Sequence, residues 1–167
     1  MNAPIVLAVV ATLALQRAFG AAGAPALGAV LLLPMPWIVG PTLRGRDRRW
    51  FVASFILGIL WDAVVEEPVI GPGGIAWSAS SAFAWWLAGT IADRSPRMWF
   101  ASGVLASAVM VIVRAACLTP LGLPHGLALW SVVVTSLATG ALCGISGWLL
   151  DADLPERWAR HRSRRLR

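Results

Sequence analysis

Three carboxylates fall within six residues: Asp62, Glu66 and Glu67, directly after the apolar run Gly58-Ile59-Leu60-Trp61. A pair such as Glu66-Glu67 at a helix end could hold a metal or activate water if imidazoles joined it. The chain has only two histidines, His125 and His161, one in a predicted outer loop and one in the basic C-terminal tail. They cannot meet at the carboxylates. Neither a Gly-rich phosphate loop nor a Ser-elbow motif is present. No catalytic, metal or cofactor site is therefore expected, and no intrinsic enzymatic activity. What the carboxylates do instead depends on the solvent around the run that precedes them.

That solvent is set by composition. The 167 residues are 58% hydrophobic and 13% charged, with a mean hydropathy of +0.73. Soluble domains average about 45–50% apolar and about 25% charged residues. The expectation is an all-α integral membrane protein, with a transmembrane domain over 1–150 and a basic cytoplasmic tail over 151–167. Six apolar runs can be drawn, at about 3–20, 24–41, 50–66, 74–92, 98–119 and 126–150, each near the roughly 20 residues a spanning helix needs. The second carries Pro34-Met35-Pro36 and should bend there, because each proline removes a backbone donor. Pro68 predicts a helix end near Glu67.

Arginine fixes the predicted orientation. All 14 basic residues are Arg, and the net charge is +6. Four fall in 42–49, two are Arg94 and Arg97, and six crowd the tail from Arg157 to Arg167, whereas the connections at 21–23, 67–73 and 120–125 carry none. Alternate loops are basic, which places both termini in the cytoplasm and makes the number of spans even. The same distribution argues against a nucleic-acid partner. It leaves anionic lipid as the partner of the tail, at about 1 kcal/mol per surface arginine. Ala18-Phe19-Gly20 could be a signal cleavage site, but no basic residue precedes the first run, so an uncleaved span is expected. Trp37, Trp50, Trp99, Trp148 and Trp158 fall at inner ends and Trp61 and Trp77 toward the outer face, as interfacial belts would have them.

Two arginines break the pattern. Arg17 and Arg114 lie near the outer ends of the first and fifth runs, at the depth of Asp62, Glu66 and Glu67. Asp62 and Glu66 are four apart and share a helical face if the helix continues. Charges inside a span face the bundle interior and find partners. Two alternatives follow: an inter-helix charge cluster in which Asp62 pairs with Arg17 or Arg114, or a polar site open to the outer side. Ser136, Gly140 and Gly144 recur every four residues in the sixth run and predict a close helix contact. Cys117 and Cys143 lie at different depths and are expected to be core residues rather than a disulfide.

Glu66-Glu67 resembles the acidic pair of prenyl-processing intramembrane proteases. Those need a basic residue shortly after the pair, where Gly71 stands here, and histidines from other spans. A closer likeness is carried by Gly58-Ile59-Leu60-Trp61-Asp62, followed by the turn Pro68-Val69-Ile70-Gly71 and a new apolar span from Ile75. This segment resembles the bacterial rod shape-determining membrane protein family MreD. Glu66-Glu67 and the extra Pro72-Gly73-Gly74 depart from the family pattern, and outside 51–92 only size, span count and basic tail agree. The resemblance implies a non-enzymatic scaffold of the rod elongation complex in the inner membrane, supporting peptidoglycan synthesis and cell shape. MreC, MreB and RodA with its transpeptidase would be its partners. It also implies six transmembrane helices arranged as in the substrate-binding subunits of energy-coupling-factor transporters. The alternative function is accordingly a vitamin-type small-molecule-binding subunit of a transporter, for which Ser78, Ser80 and Ser81 are the main additional polar groups.

Overall fold

Proline opens three of the helices, each at the first helical position, where its missing N–H is not needed and its fixed φ suits the turn: Pro36, Pro72 and Pro96. A computed structural model describes residues 3–21, 31–45, 49–65, 69–90, 95–122 and 129–151. All regular structure among them is helical: α1 (Ala3–Ala21), α2 (Pro36–Gly45), α3 (Arg49–Val65), α4 (Pro72–Thr90), α5 (Pro96–Leu118), a 3-10 turn (Thr119–Leu121) and α6 (Leu129–Asp151).

Five of the six predicted runs correspond to helices within three residues at either end. The second does not. Residues 31–35 are non-helical, α2 begins only at Pro36, and the predicted start at 24 lies outside the described residues. The non-helical stretch carries Pro34 and directly precedes Pro36, the prolines at which the sequence predicts a bend. The amides freed there are taken by side chains. Leu33 N–H donates to Gln16 Oε1 of α1 at 3.2 Å, and Leu32 N–H donates to Thr139 Oγ1 of α6 at 3.2 Å. Gln16 and Thr139 are both buried, so each satisfies a backbone donor that water does not reach.

Consecutive helices pack as neighbours: α3 on α4, α4 on α5, and α5 on α6, while α2 touches α4, α5 and α6, and α1 rests on α3. The interior is built from small and hydroxylated residues as much as from large apolar ones. Thr42, Ser80, Ser81, Ser102, Ser107 and Thr139 are all buried. Three of these hydroxyls donate to backbone carbonyls: Ser107 to Gly103 O at 2.7 Å, Thr42 to Ile38 O at 2.9 Å and Ser80 to Ala76 O at 2.9 Å. Other large apolar side chains lie outside, among them Val52, Ile56, Ile112, Trp130 and Ile145, each more than half exposed.

Two helices have the length and hydropathy to cross a membrane: Pro96–Leu121, with 26 residues, and Leu129–Leu149, with 21. They are joined by close backbone approach. A Cβ on Gly103 would lie 2.6 Å from Cys143 Cβ and 3.1 Å from Gly140 Cα, and one on Gly140 would lie 3.0 Å from Phe100 O. Gly144 packs more loosely, 3.3 Å from Phe100 Cβ, and Gly147 lies against the Trp99 ring. The Gly140–Gly144 pair thus faces α5 within the bundle. Cys117 and Cys143 are free thiols.

Candidate functional site: the α3–α4 joint

Of the three carboxylates, Asp62 lies at a joint between two helices. α3 runs past Asp62 to Val65, close to the end that Pro68 predicts, and α4 starts at Pro72. Between them, Gly71 adopts φ +133°, a conformation open to glycine and strained for other residues. This sets Pro72, Gly73 and Gly74 as the first turn of α4, with Ile75 N–H closing onto Gly71 O at 3.2 Å.

The N–H groups of a first helical turn have no partner within the helix. Asp62, reaching across from α3, supplies one. Its Oδ2 accepts from Gly71 N–H and from Gly73 N–H, both at 2.9 Å. The residue is 1% exposed. A buried carboxylate held by two amides at the positive end of a helix is favoured by both hydrogen bonding and the helix dipole. Oδ1 is buried without a hydrogen-bond partner.

Gly58 completes the joint one turn below Asp62. A Cβ on Gly58 would run into the Gly73 carbonyl and lie 2.7 Å from Gly74 Cα, and a Cβ on Gly73 would meet Asp62 Oδ1 and lie 2.6 Å from Gly58 O. The two backbones therefore touch, which only glycine on both sides allows. Trp61 and Trp77 lock the same crossing with rings 5.5 Å apart at 59°.

The partner of Asp62 is thus backbone, not the arginine expected from the sequence. The physical reason is proximity: the uncapped amides of α4 lie nine and eleven residues on in the chain, presented at contact distance by the glycines. Arg17 is exposed and directs Nη1 to Val64 O, at 3.3 Å. The shared depth is nevertheless present for three of the charges. Ser80 Oγ of α4 bonds Ala106 O of α5 at 2.9 Å, and seven residues back along α4 and seven on along α5 bring Gly73 opposite Val113. Arg114, half-buried, accordingly lies at the depth of the Asp62 cap, and the Arg17–Val64 bond puts Arg17 there too. Glu66, Glu67 and Pro68 lie outside the described residues.

Other side chains differ from expectation. Trp61, Trp77 and Trp99 are core residues, 4%, 0% and 1% exposed, rather than interfacial ones. Gly73, Gly74, Gln16 and Thr139 carry contacts that sequence spacing did not point to. For Gly73 and Gly74, the signal was available in Gly71-Pro72-Gly73-Gly74, a helix start with no side chain to cap it. Among the described residues no group of His, Cys, Asp or Glu is placed to hold a metal. Buried hydroxyls without a partner occur at Ser78 and Ser81 of α4, Ser102 of α5 and Ser136 of α6. Compared with known protein families, curated proteins and solved structures, the chain matches none.

Proposed function

We propose that this protein is a multi-pass membrane scaffold of the bacterial rod-elongation complex, akin to MreD, with both termini cytoplasmic and with MreC as the partner captured from the outer side. RodA with its transpeptidase and the MreB filament complete the proposed assembly. Membrane insertion is supported by the distribution of side chains: hydroxyls and glycines share the interior with the apolar core, and many Val, Ile, Leu and Trp side chains lie outside. In water such an exterior would aggregate; in lipid it is solvated, and small residues give the close helix contacts that packing there relies on.

The observation that carries the scaffold role is the Asp62 joint. The motif of the resemblance, Gly58 to Asp62 plus the glycine turn, is one structural unit. Its carboxylate is committed to holding the backbone at Gly71 and Gly73, next to Val69 and Ile70 at the surface. Apolar side chains presented beside a fixed backbone joint are what a binding scaffold uses. The test is capture of MreC by the tagged full chain from membranes. Asp62→Ala is expected to reduce capture several-fold more than it reduces the amount of folded protein, and depletion is expected to round a rod-shaped host. Normal shape on depletion would overturn the proposal.

The small-molecule-binding alternative draws on the unpartnered hydroxyls of Ser78, Ser81, Ser102 and Ser136. Ser80, in contrast, directs its hydroxyl to Ala76 O and Ala106 O, each at 2.9 Å. A tightly bound small molecule co-purifying with the isolated chain would favour this alternative over the scaffold.

A further inference from the structure

We propose that the apolar belt of this protein is matched to a thin bilayer, so that it associates preferentially with lipid of short acyl chains. The proposal rests on membrane insertion as proposed above, and on three helices whose boundaries agree.

On α5, Arg97 and Arg114 bracket the apolar stretch and are seventeen residues apart, or about 26 Å at 1.5 Å per residue. On α6, Trp130 and Trp148 are the exposed aromatic residues at either end, 76% and 54% exposed, and their eighteen-residue separation spans about 27 Å. α3 has 17 residues, about 26 Å, and is closed on its outer side by the Asp62-capped turn. The typical hydrocarbon core is about 30 Å thick.

The registers show that these are one belt and not three unrelated lengths. Gly147 of α6 packs on Trp99 of α5, which sets Trp148 beside the Arg97 end. At the other end, Gly103 against Cys143 carries ten residues outward to Val113 and Val133, within one turn of Arg114 and Trp130. The Asp62 cap lies at that same depth through the Ser80–Ala106 bond. Inside the belt, Val52, Ile56, Leu105, Ile112, Leu137 and Ile145 are exposed.

Two effects bear on the size of the mismatch. An arginine can snorkel and so lengthen the belt it bounds. Indole rings sit at the headgroup level, so the Trp130–Trp148 distance bounds the hydrocarbon from above. Tilt makes the vertical thickness smaller still. A bilayer of ordinary thickness must then thin around the protein by several ångströms. Beyond Arg114, α5 and its 3-10 turn continue with Ala115, Ala116, Cys117, Leu118 and Leu121. The arginine, rather than the end of the helix, sets the edge of the belt there.

The experiment uses the full chain in phosphatidylcholine vesicles from di-14:1 to di-22:1, with thermal unfolding followed by tryptophan fluorescence. The midpoint is expected to be highest in di-14:1 or di-16:1 and to fall steadily toward di-22:1. Arg114→Leu is expected to move the maximum by at least one lipid toward longer chains, and Arg114→Lys to leave it in place. A wild-type profile that is flat, or that peaks at di-20:1 or longer, overturns the thickness match while leaving insertion intact. Release of the protein from every vesicle by alkaline carbonate overturns membrane insertion and this proposal with it.

Discussion

The α3–α4 joint and the α5–α6 seam both bring helices together through glycine, but they differ in what the glycine is pressed against. At the joint, Gly58 and Gly73 meet each other's carbonyls, and the contact is tied by a buried carboxylate on two amides. At the seam, Gly103, Gly140 and Gly147 face mostly side chains, Cys143, Val104 and Trp99, with Phe100 O the one close carbonyl of the three. Side-chain atoms beyond Cβ, such as those of Val104 and Trp99, can rotate away from an added methyl; a backbone carbonyl fixed by its own helix cannot. The joint is therefore a place where sequence is dictated atom by atom, and the seam a place where it is dictated by volume.

Alanine at the joint should break that comparison most visibly. Gly58→Ala or Gly73→Ala is expected to destabilise the chain by about 3 kcal/mol, at the upper end of overpacking effects. Thermal unfolding in detergent checks this, and tolerance equal to that of the seam glycines would abolish the distinction drawn here. Next in size is the cap. Asp62→Ala is expected to lose about 2 kcal/mol through two freed N–H groups and a lost charge–dipole contact. Asp62→Asn, which keeps one accepting oxygen, should lose less than half as much. Equal losses for the two variants would mean that the hydrogen bonds contribute nothing beyond charge. The smallest effect belongs to Gly144→Ala, whose methyl would stand 3.3 Å from Phe100 Cβ; it is expected to change stability by no more than about 1 kcal/mol.

The helices themselves were legible. Hydropathy runs located five of them, because apolar length and proline punctuation are properties of the sequence alone. The common level of Asp62, Arg17 and Arg114 along the bundle was also expected from the order of the runs. The partner of Asp62 did not. Charge pairing can be sought by scanning a sequence for opposite signs, but a backbone amide has no letter, and its availability depends on where a helix begins. Gly71-Pro72-Gly73-Gly74 gave that start without saying which acceptor would serve it. The tryptophans misled for a related reason: an indole at a span end reads as interfacial, yet Trp77 and Trp99 point inward across glycine-thinned crossings at Gly58/Gly73 and Gly147. Thr139 was invisible as well, because its role is defined by a non-helical stretch more than a hundred residues away.

That stretch has a consequence for the order of assembly. The amide of Leu32 is satisfied by a hydroxyl 107 residues later in the chain. At synthesis rates of about 5–20 residues per second, the acceptor emerges roughly 5–20 seconds after the donor. During that interval α1, α2 and the non-helical stretch between 31 and 35 are already made, with Gln16 able to hold Leu33 but nothing yet in place for Leu32. A nascent chain stopped before α6 therefore carries an open polar group where the finished protein has none. The last described helix thus completes the polar pairing of this segment: a chain that includes α6 satisfies the Leu32 amide, and one that stops short of it does not.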